Sequence, residues 1–231
     1  YHTCVLLVSG AVQGWGSNSD GRLGADTSLF SSPTPLDVVG LDAGVQQIVT
    51  GSRHTCALLT RKDGKRVQCW GANESGQLGD GTQTDHSTPG TVTGLTSGIQ
   101  TITAGSGDTC AVTSTGGVKC WGMNLYGQLG DGTTVNRLTP TNVIGLAGAM
   151  QAISAGNYHT CALTASGGVK CWGFNADGQI GDASISTPAP NRSVPVDVWG
   201  LTGGAGVPTG ITIAGTVSGI SPGGAGHLGL A

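Results

Sequence analysis

The chain has 231 residues, of which 43 are glycine and only 10% are charged, and its formal net charge is −3. A nucleic-acid-binding domain normally carries a basic stripe, and none is visible here, so we expect no nucleic-acid partner. No apolar run approaches the roughly 18 residues that a membrane-spanning helix needs, which predicts no membrane insertion.

A repeat of about fifty residues organises the sequence. His-Thr-Cys stands at 2–4, 54–56 and 159–161, with Asp-Thr-Cys at 108–110. Trp-Gly follows at residues 15, 70, 121 and 172, with an Asn three residues after each Trp. Gly-(Gln/Arg)-(Leu/Ile)-Gly comes next at 21–24, 76–79, 127–130 and 178–181, then Pro-x-x-Val-x-Gly-Leu at 35–41, 89–95, 140–146 and 195–201. So many matched positions in one register indicate repeated copies of one structural unit.

Each unit reads as four short strands. Runs of strand-forming residues, such as 54–59 and 67–70, are broken by glycine and proline, and no long stretch has a helical period. One four-stranded sheet cannot bury both of its faces, but stacking against copies of itself buries them, and radial stacking makes a β-propeller. We therefore predict an all-β fold of four-stranded propeller blades, with about four full repeats and a partial fifth.

The most regular copies of the unit lie at 105–132 and 156–182. The pattern His-Thr-Cys-Ala-Leu…Cys-Trp-Gly-x-Asn-x-x-Gly-Gln-Leu-Gly-Asp-Gly resembles the regulator-of-chromosome-condensation repeat. That resemblance implies a propeller, usually of seven blades, so four units imply a partial ring, a small ring or a piece of a larger one.

The repeat register also divides the chain into segments. The predicted repeats are approximately 1–44, 45–98, 99–149 and 150–201. A Gly-rich insertion follows at 202–216. Segment 217–231 is then the start of a fifth repeat or a ring-closing strand, because Val217, Ile220 and Gly223 reproduce the spacing of Met150, Ile153 and Gly156.

Six of the seven cysteines form local pairs across predicted hairpins: Cys56 with Cys69, Cys110 with Cys120, and Cys161 with Cys171. Opposed positions on antiparallel strands are close enough for a disulfide. No Cys-x-x-Cys spacing favours zinc, so we predict three disulfides, no metal site and an oxidising location: extracellular, periplasmic or cell-surface. Cys4 faces Gly14 in this register. We predict an unpaired and mostly buried thiol there; the alternatives are an intermolecular bridge and a damaged repeat.

Residues repeated in every unit are poor candidates for catalysis, which needs one asymmetric constellation. The equivalent His2, His54 and His159 predict a recurring hydrogen bond between blades, and the repeated Trp residues predict packing between blades. We expect no catalytic residue, no cofactor and no enzymatic activity.

Variable loops are where a propeller carries specificity. They hold His86, which stands outside the repeat pattern, together with Arg137 and Arg192; Trp199 is an unmatched aromatic residue that could anchor a partner. The sequence favours an extracellular or cell-surface interaction or structural module that binds a protein partner or copies of itself. The alternatives are a repeated subunit of a surface filament or appendage, a guanine-nucleotide exchange factor for a small GTPase, and an enzyme with a site in the propeller channel.

Overall fold

The computed structural model describes residues 2–62, 64–184, 186 and 188–202, together with the backbone of two short strands at 215–216 and 227–228. All regular secondary structure in these residues is β-strand. Four antiparallel sheets follow one another along the chain, which confirms the predicted class of propeller blades. The insertion and the fifth repeat predicted at 202–231 lie almost entirely outside the described residues.

Blade 1 has three strands and the other three blades have four. Blade 1 contains β1 (His2–Leu6), β2 (Val12–Ser17) and β3 (Ser31–Asp37). Blade 2 contains β4 (Val45–Thr50), β5 (His54–Arg61), β6 (Gly64–Gly71) and β7 (His86–Thr91). Blade 3 contains β8 (Ile99–Ala104), β9 (Asp108–Thr113), β10 (Val118–Gly122) and β11 (Arg137–Asn142). Blade 4 contains β12 (Met150–Ala155), β13 (His159–Thr164), β14 (Val169–Gly173) and β15 (Arg192–Asp197), and the short strands β16 (Gly215–Thr216) and β17 (His227–Leu228) pair with each other.

The first strand of each complete blade is its inner strand. β4 contacts β8, β8 contacts β12, and β12 contacts β16. Blade 1 has no described strand in that place, and β1 contacts β4 directly. Because neighbouring strands run antiparallel, the loops after the inner and third strands emerge at one end of a blade, which we call the rim end. The hairpin after the second strand and the connection to the next blade emerge at the opposite hairpin end.

A shared main-chain acceptor joins each pair of neighbouring blades. The carbonyl oxygens of Arg22, Gln77 and Gln128 accept the indole Nε1–H of Trp70, Trp121 and Trp172 of the following blade at 3.0, 2.9 and 2.8 Å. The same oxygens accept the hydroxyls of Thr55, Thr109 and Thr160 at 3.0 Å. All three Trp side chains are fully buried. Each junction therefore buries a large aromatic side chain while both lone pairs of one carbonyl oxygen are used.

Two of the three repeated histidines, His2 and His54, make the predicted hydrogen bond between blades. His2 Nε2 lies 2.8 Å from the Thr55 hydroxyl, and His54 Nε2 lies 2.9 Å from the Thr109 hydroxyl. Because each Thr hydrogen is given to a carbonyl, the hydroxyl oxygen must accept and the ring must donate from Nε2–H. Burial lowers the pKa of His2 to about 3 and that of His54 to about 4. Both rings are consequently neutral near pH 7, as this hydrogen bond requires.

Asp108 takes the histidine position in blade 3 and is fully buried. Its carboxyl group lies against Gly105, where a Cβ would come within 2.6 Å of Oδ1, just as the His54 ring lies against Gly51. Burial raises the pKa of Asp108 well above the ordinary 3.8, and the nearby Gln128 side chain opposes this only in part. The carboxyl group therefore resists ionisation in the folded chain.

Three disulfides close the hairpins between the second and third strands of blades 2, 3 and 4. They join Cys56 to Cys69, Cys110 to Cys120 and Cys161 to Cys171, each with 4.1 Å between the Cα atoms. In blade 1 the equivalent register pairs Cys4 with Gly14. Cys4 is buried and unpaired, and burial raises the pKa of its thiol to about 12. This thiol is thus protonated and unreactive at neutral pH.

Gly14→Cys is expected to create the missing fourth bridge. A Cβ at Gly14 would lie 3.4 Å from the Cys4 sulfur, and Gly14 does not have a positive φ. Closing this short loop should raise the free energy of unfolding by about 2–3 kcal/mol. Denaturant unfolding measures the gain, and loss of the single alkylatable thiol reports the bridge. Gly14→Ser, which adds similar volume but cannot form the bridge, is the matched control; equal stability of the two variants would contradict the prediction.

Asp108→Asn is expected to make stability less dependent on pH. The raised folded-state pKa of Asp108 means that its stabilising contribution is present at acidic pH and is lost as the pH rises from about 4, where the unfolded chain ionises, towards the folded-state value. The Asn variant should therefore match the parent near pH 4 and exceed it at pH 7 in urea midpoint. Parallel pH profiles of the two proteins would show that the buried carboxyl has no such role.

Candidate protein-interaction rim

The loop after the third strand is fixed in the same way in blades 2, 3 and 4. Its invariant Asn accepts a main-chain N–H at 3.0 Å through Oδ1, from Leu78, Leu129 and Ile180 respectively. The Asn amide also donates to the Asp of the following turn, at 3.2, 3.1 and 3.5 Å for Asp80, Asp131 and Asp182. These hydrogen bonds make each long loop a rigid part of its blade.

The second oxygen of each of these aspartates binds a cationic or ring nitrogen at the start of the fourth strand. Asp80 Oδ2 lies 2.9 Å from His86 Nε2, Asp131 Oδ2 lies 2.7 Å from Arg137 Nε, and Asp182 Oδ2 lies 2.5 Å from an Arg192 nitrogen. Burial would raise the pKa of Asp182, but the Ser184 and Arg192 hydrogen bonds outweigh it and lower the pKa to about 2. The carboxylate is therefore held ionised in this pair.

These contacts correct the interpretation of His86 as a residue outside the repeat. His86, Arg137 and Arg192 pair with Gly71, Gly122 and Gly173 in the same register, so they occupy one repeat position. The side-chain type differs, but each side chain binds the equivalent aspartate. Blade 1 has Ala25 and Ser32 at the two corresponding positions and so lacks both members of the pair. The three residues close their loops, and contact with a partner remains a prediction.

Trp199 stands at the opposite end of blade 4, in the connection that follows β15. Its side chain is 78% exposed, compared with 47% for Val39 and Ile144 at the equivalent positions of blades 1 and 3. Exposure at this position is thus a general feature of the blades. A partner role for Trp199 stays a prediction, because the aromatic ring alone distinguishes it.

The loops after the inner strands form a continuous rim from blade to blade. The main-chain N–H of Ser52 donates to Ser106 O at 3.3 Å, and that of Ser106 donates to Asn157 O at 3.4 Å. The hydroxyls of Ser52 and Ser106 also lie 3.0 Å apart. The next residue in each loop differs completely in chemistry: Arg53, Gly107 and Tyr158. A constant backbone therefore presents variable side chains in a row.

One end of this rim is ionic. Arg53 binds Asp20 of blade 1 at 2.7 Å and Glu74 of its own blade at 2.8 Å. Asp20 also pairs with Arg22. Burial would raise the pKa of Asp20, but hydrogen bonds and charge from Arg53 and Arg22 lower it overall. The cluster links blades 1 and 2 and leaves about half of the Arg53 side chain exposed.

The other end of the rim is aromatic. Tyr126 of blade 3 packs edge-to-face on Tyr158 and Phe174 of blade 4, with ring centroids 5.1 and 4.9 Å apart. The neighbouring Leu125 is exposed. A cleft of about 340 Å³ adjoins the cluster, and it is lined by Gly156, Asn157, Tyr158, His159, Phe174, Asp177 and Gln179. Exposed aromatic rings that are held rigidly beside a cleft are typical of protein-binding surfaces.

The rim residues were not predicted from the sequence. Tyr158, Arg53 and Gly107 share one repeat position. The comparison between repeats that identified Trp199 as unmatched could therefore have identified these residues too. The proximity of Tyr126 to Tyr158 was not visible, because the two residues belong to different repeats. Within the described residues, no group of three or more His, Cys, Asp or Glu side chains is arranged to hold a metal ion. The same part of the chain contains no helix long and apolar enough to span a membrane.

Comparison with known proteins agrees with this architecture. The regulator of chromosome condensation (RCC1) repeat is matched over residues 9–58, 66–112 and 115–163. The ultraviolet-B receptor UVR8 of Arabidopsis thaliana is 34% identical over 190 residues, which are 80% of this chain and 42% of the receptor. The probable E3 ubiquitin-protein ligase HERC4 of Homo sapiens is 33% identical over 205 residues, which are 87% of this chain and 19% of the ligase.

Solved structures show the same fold. Human WBSCR16 superposes with a TM-score of 0.72 at 24% identity, covering 85% of this chain and 49% of that protein. Prp20p of Saccharomyces cerevisiae superposes with a TM-score of 0.72 at 21% identity, covering 85% of this chain and 48% of Prp20p. The chain thus spans less than half the length of each of these proteins. From the repeat matches and the blade geometry together, the chain belongs to the regulator of chromosome condensation (RCC1) repeat family.

Proposed function

We propose that the chain is the protein-interaction module of an exported protein and that it binds its partner through the rim. An RCC1-type propeller is a protein-interaction fold, and the family membership supports that general role. The observation that carries the proposal is the change from Arg53 to Gly107 to Tyr158 at one repeat position, above a hydrogen-bonded framework that does not change. Variation confined to an exposed rim is what a recognition surface requires.

The aromatic end of the rim is the better anchor. Arg53 already has two carboxylate partners, so a ligand would have to compete with them. Tyr158 and Leu125 are exposed and bind no charged group. Tyr side chains combine apolar area with a hydroxyl and lose little conformational entropy on binding, which suits them to binding hot spots. The partner is therefore a protein segment that places apolar side chains on the aromatic cluster.

Relatives support a protein partner but not a particular one. The structure of Prp20p was described together with its binding properties to Gsp1p and histones. At 21% identity this likeness shows the fold alone, so nucleotide exchange is not carried over to this chain. The three disulfides support export, because the reducing cytosol disfavours such bridges.

Tyr158→Gly tests the rim, since it gives blade 4 the residue that blade 3 has at this position. Peptides selected from a displayed library on the parent chain should lose at least about tenfold in affinity for this variant, roughly 1.4 kcal/mol or more. Calorimetry or interferometry measures the change. Trp199→Ile, which copies blade 3 at the hairpin end, is the matched control and should bind within about twofold. Peptides that bind the Trp199 variant more weakly but the Tyr158 variant as tightly as the parent would place recognition at the hairpin end and contradict the proposal.

Export to an oxidising compartment predicts that the three disulfides are already formed in the protein isolated from its own cells. After denaturation with an alkylating agent and no reductant, one of the seven cysteines should be labelled, and that residue should be Cys4. Reduction should then expose all seven. Mass spectrometry of the intact chain counts the labels. Seven labels before reduction would show that the bridges do not form in the cell and would remove the argument for export.

A further inference from the structure

The long loop after the third strand exposes apolar side chains in two blades. In blade 1, where β2 takes the third-strand position, Phe30 is 83% exposed and the adjacent Leu29 is 53% exposed. In blade 3 the same loop exposes Val135, at 60%. The chain has only two phenylalanines, and one of them is left almost wholly in water. A surface that covered these side chains would gain the free energy of removing them from water.

This exposure is a property of the loop position. Phe30, Thr84 and Val135 occupy one repeat position, two residues before the residue that pairs with the glycine after each Trp. All three are exposed, including those of blades 2 and 3, which have a described blade on each side. The position therefore stays in solvent inside a continuous stack of blades, while its side chain changes from Phe to Thr to Val.

Hydrogen bonds fix the main chain of these loops. In blade 1 the Asn18 amide donates to the Leu29 carbonyl at 2.9 Å, and in blade 3 the Asn124 amide donates to the Val135 carbonyl at 3.1 Å. Leu125 follows Asn124 directly, so Val135 adjoins the aromatic end of the rim. The apolar side chains are thus presented from a fixed backbone, which lowers the entropy cost of binding.

Blade 2 lies between these two apolar loops and is acidic. Glu74 and Asp85 take loop positions that are Leu and Asn in blade 3, and both are exposed. Asp85 makes no ion pair among the described residues. Arg53, whose charge interacts with that of Asp85, already binds Asp20 and Glu74. The carboxylates of this part of the rim are therefore not fully neutralised, and they attract a cation.

We propose that the rim binds one extended cationic segment of its partner protein, with an apolar anchor at each end of the segment. This inference rests on the proposed function and specifies the partner. One anchor covers Leu29 and Phe30. A Lys or Arg then lies against Glu74 and Asp85, and the second anchor reaches Tyr158 at the aromatic end.

The spacing of the blades sets the length of this segment. Packed sheets lie about 10 Å apart, so blades 1 and 3 are separated by at least about 20 Å. An extended chain advances about 3.3 Å per residue, so the two anchors stand at least about six residues apart, with the Lys or Arg between them. A segment with Asp or Glu in that place is repelled, which gives specificity.

Phe30→Thr tests the first anchor, since it gives blade 1 the residue that blade 2 has at this position. The probes are peptides of about 16 residues, selected from a displayed library on the parent chain and long enough to hold both anchors. Calorimetry should show at least about fivefold weaker binding to the variant. Val8→Thr, which replaces a fully exposed apolar residue at the hairpin end, is the control and should bind within about twofold.

Asp85→Asn tests the charge, since it gives blade 2 the residue that blade 3 has there. The Asn side chain keeps an oxygen to accept the Asn73 N–H, which Asp85 accepts at 2.7 Å. The same peptides should carry Lys or Arg between their apolar residues and should bind this variant at least about threefold more weakly at low salt. The difference should shrink at high salt, because ions screen surface charges.

The outcomes separate this inference from the proposed function. Peptides that bind Tyr158→Gly more weakly, but bind the Phe30 and Asp85 variants as tightly as the parent, overturn the two-anchor segment and leave the proposed function standing. Peptides indifferent to Tyr158→Gly as well, or a library that yields no binder, overturn both. Sedimentation of the parent chain with phosphatidylcholine vesicles, lost in Phe30→Thr, would assign Leu29 and Phe30 to a lipid surface and also overturn the inference.

Discussion

The structure depends on one main-chain oxygen per blade. The carbonyl of Arg22, Gln77 or Gln128 receives both the indole and the threonine hydroxyl of the following blade, inside an interface that excludes water. An indole N–H or a hydroxyl left without a partner there would cost about 1–3 kcal/mol, so the acceptor is needed before the large Trp surface can be buried. The burial of the Trp ring and the hydrogen bonding of the indole N–H and threonine hydroxyl are thus one interaction, and neither can change without the other.

A main-chain acceptor also explains which residues are free to change. The carbonyl is the same whatever the side chain, so Arg22 can replace glutamine without loss of the junction. The histidine position differs, because there the side chain itself makes the hydrogen bond to the threonine of the next blade. Asp108 fills it with a carboxyl whose pKa is raised by burial, and neither carboxyl oxygen has a hydrogen-bond partner among the described residues. The junction of blades 3 and 4 therefore lacks the hydrogen bond that His2 and His54 make to the threonine of the next blade.

The sequence predicted most of the framework, because the framework is periodic. Strand number, the three Cys pairs and the unpaired Cys4 follow from residues that recur at fixed spacing or fail to recur. The Asp80–His86 pair was missed for the opposite reason. The position holds His in one blade and Arg in two others, so no single residue type recurs there. The loop before Arg192 is also four residues longer than its equivalents before His86 and Arg137. The contact of Tyr126 with Tyr158 joins two repeats, so it needed the angle between blades, which spacing along one chain does not encode.

Blade 1 departs from the framework of the other blades in two ways. It has Cys4 but no cysteine opposite it. It also lacks both the aspartate and the His or Arg that pair in the loop after the third strand of blades 2, 3 and 4. A lone buried aspartate without its cation would be costly, so joint loss is the stable outcome. Trp15 and Thr3, by contrast, have the same residue types as their equivalents at the internal junctions. Blade 1 has thus lost residues that stabilise a single blade, whereas it keeps the Trp and Thr that form the junctions in the other blades.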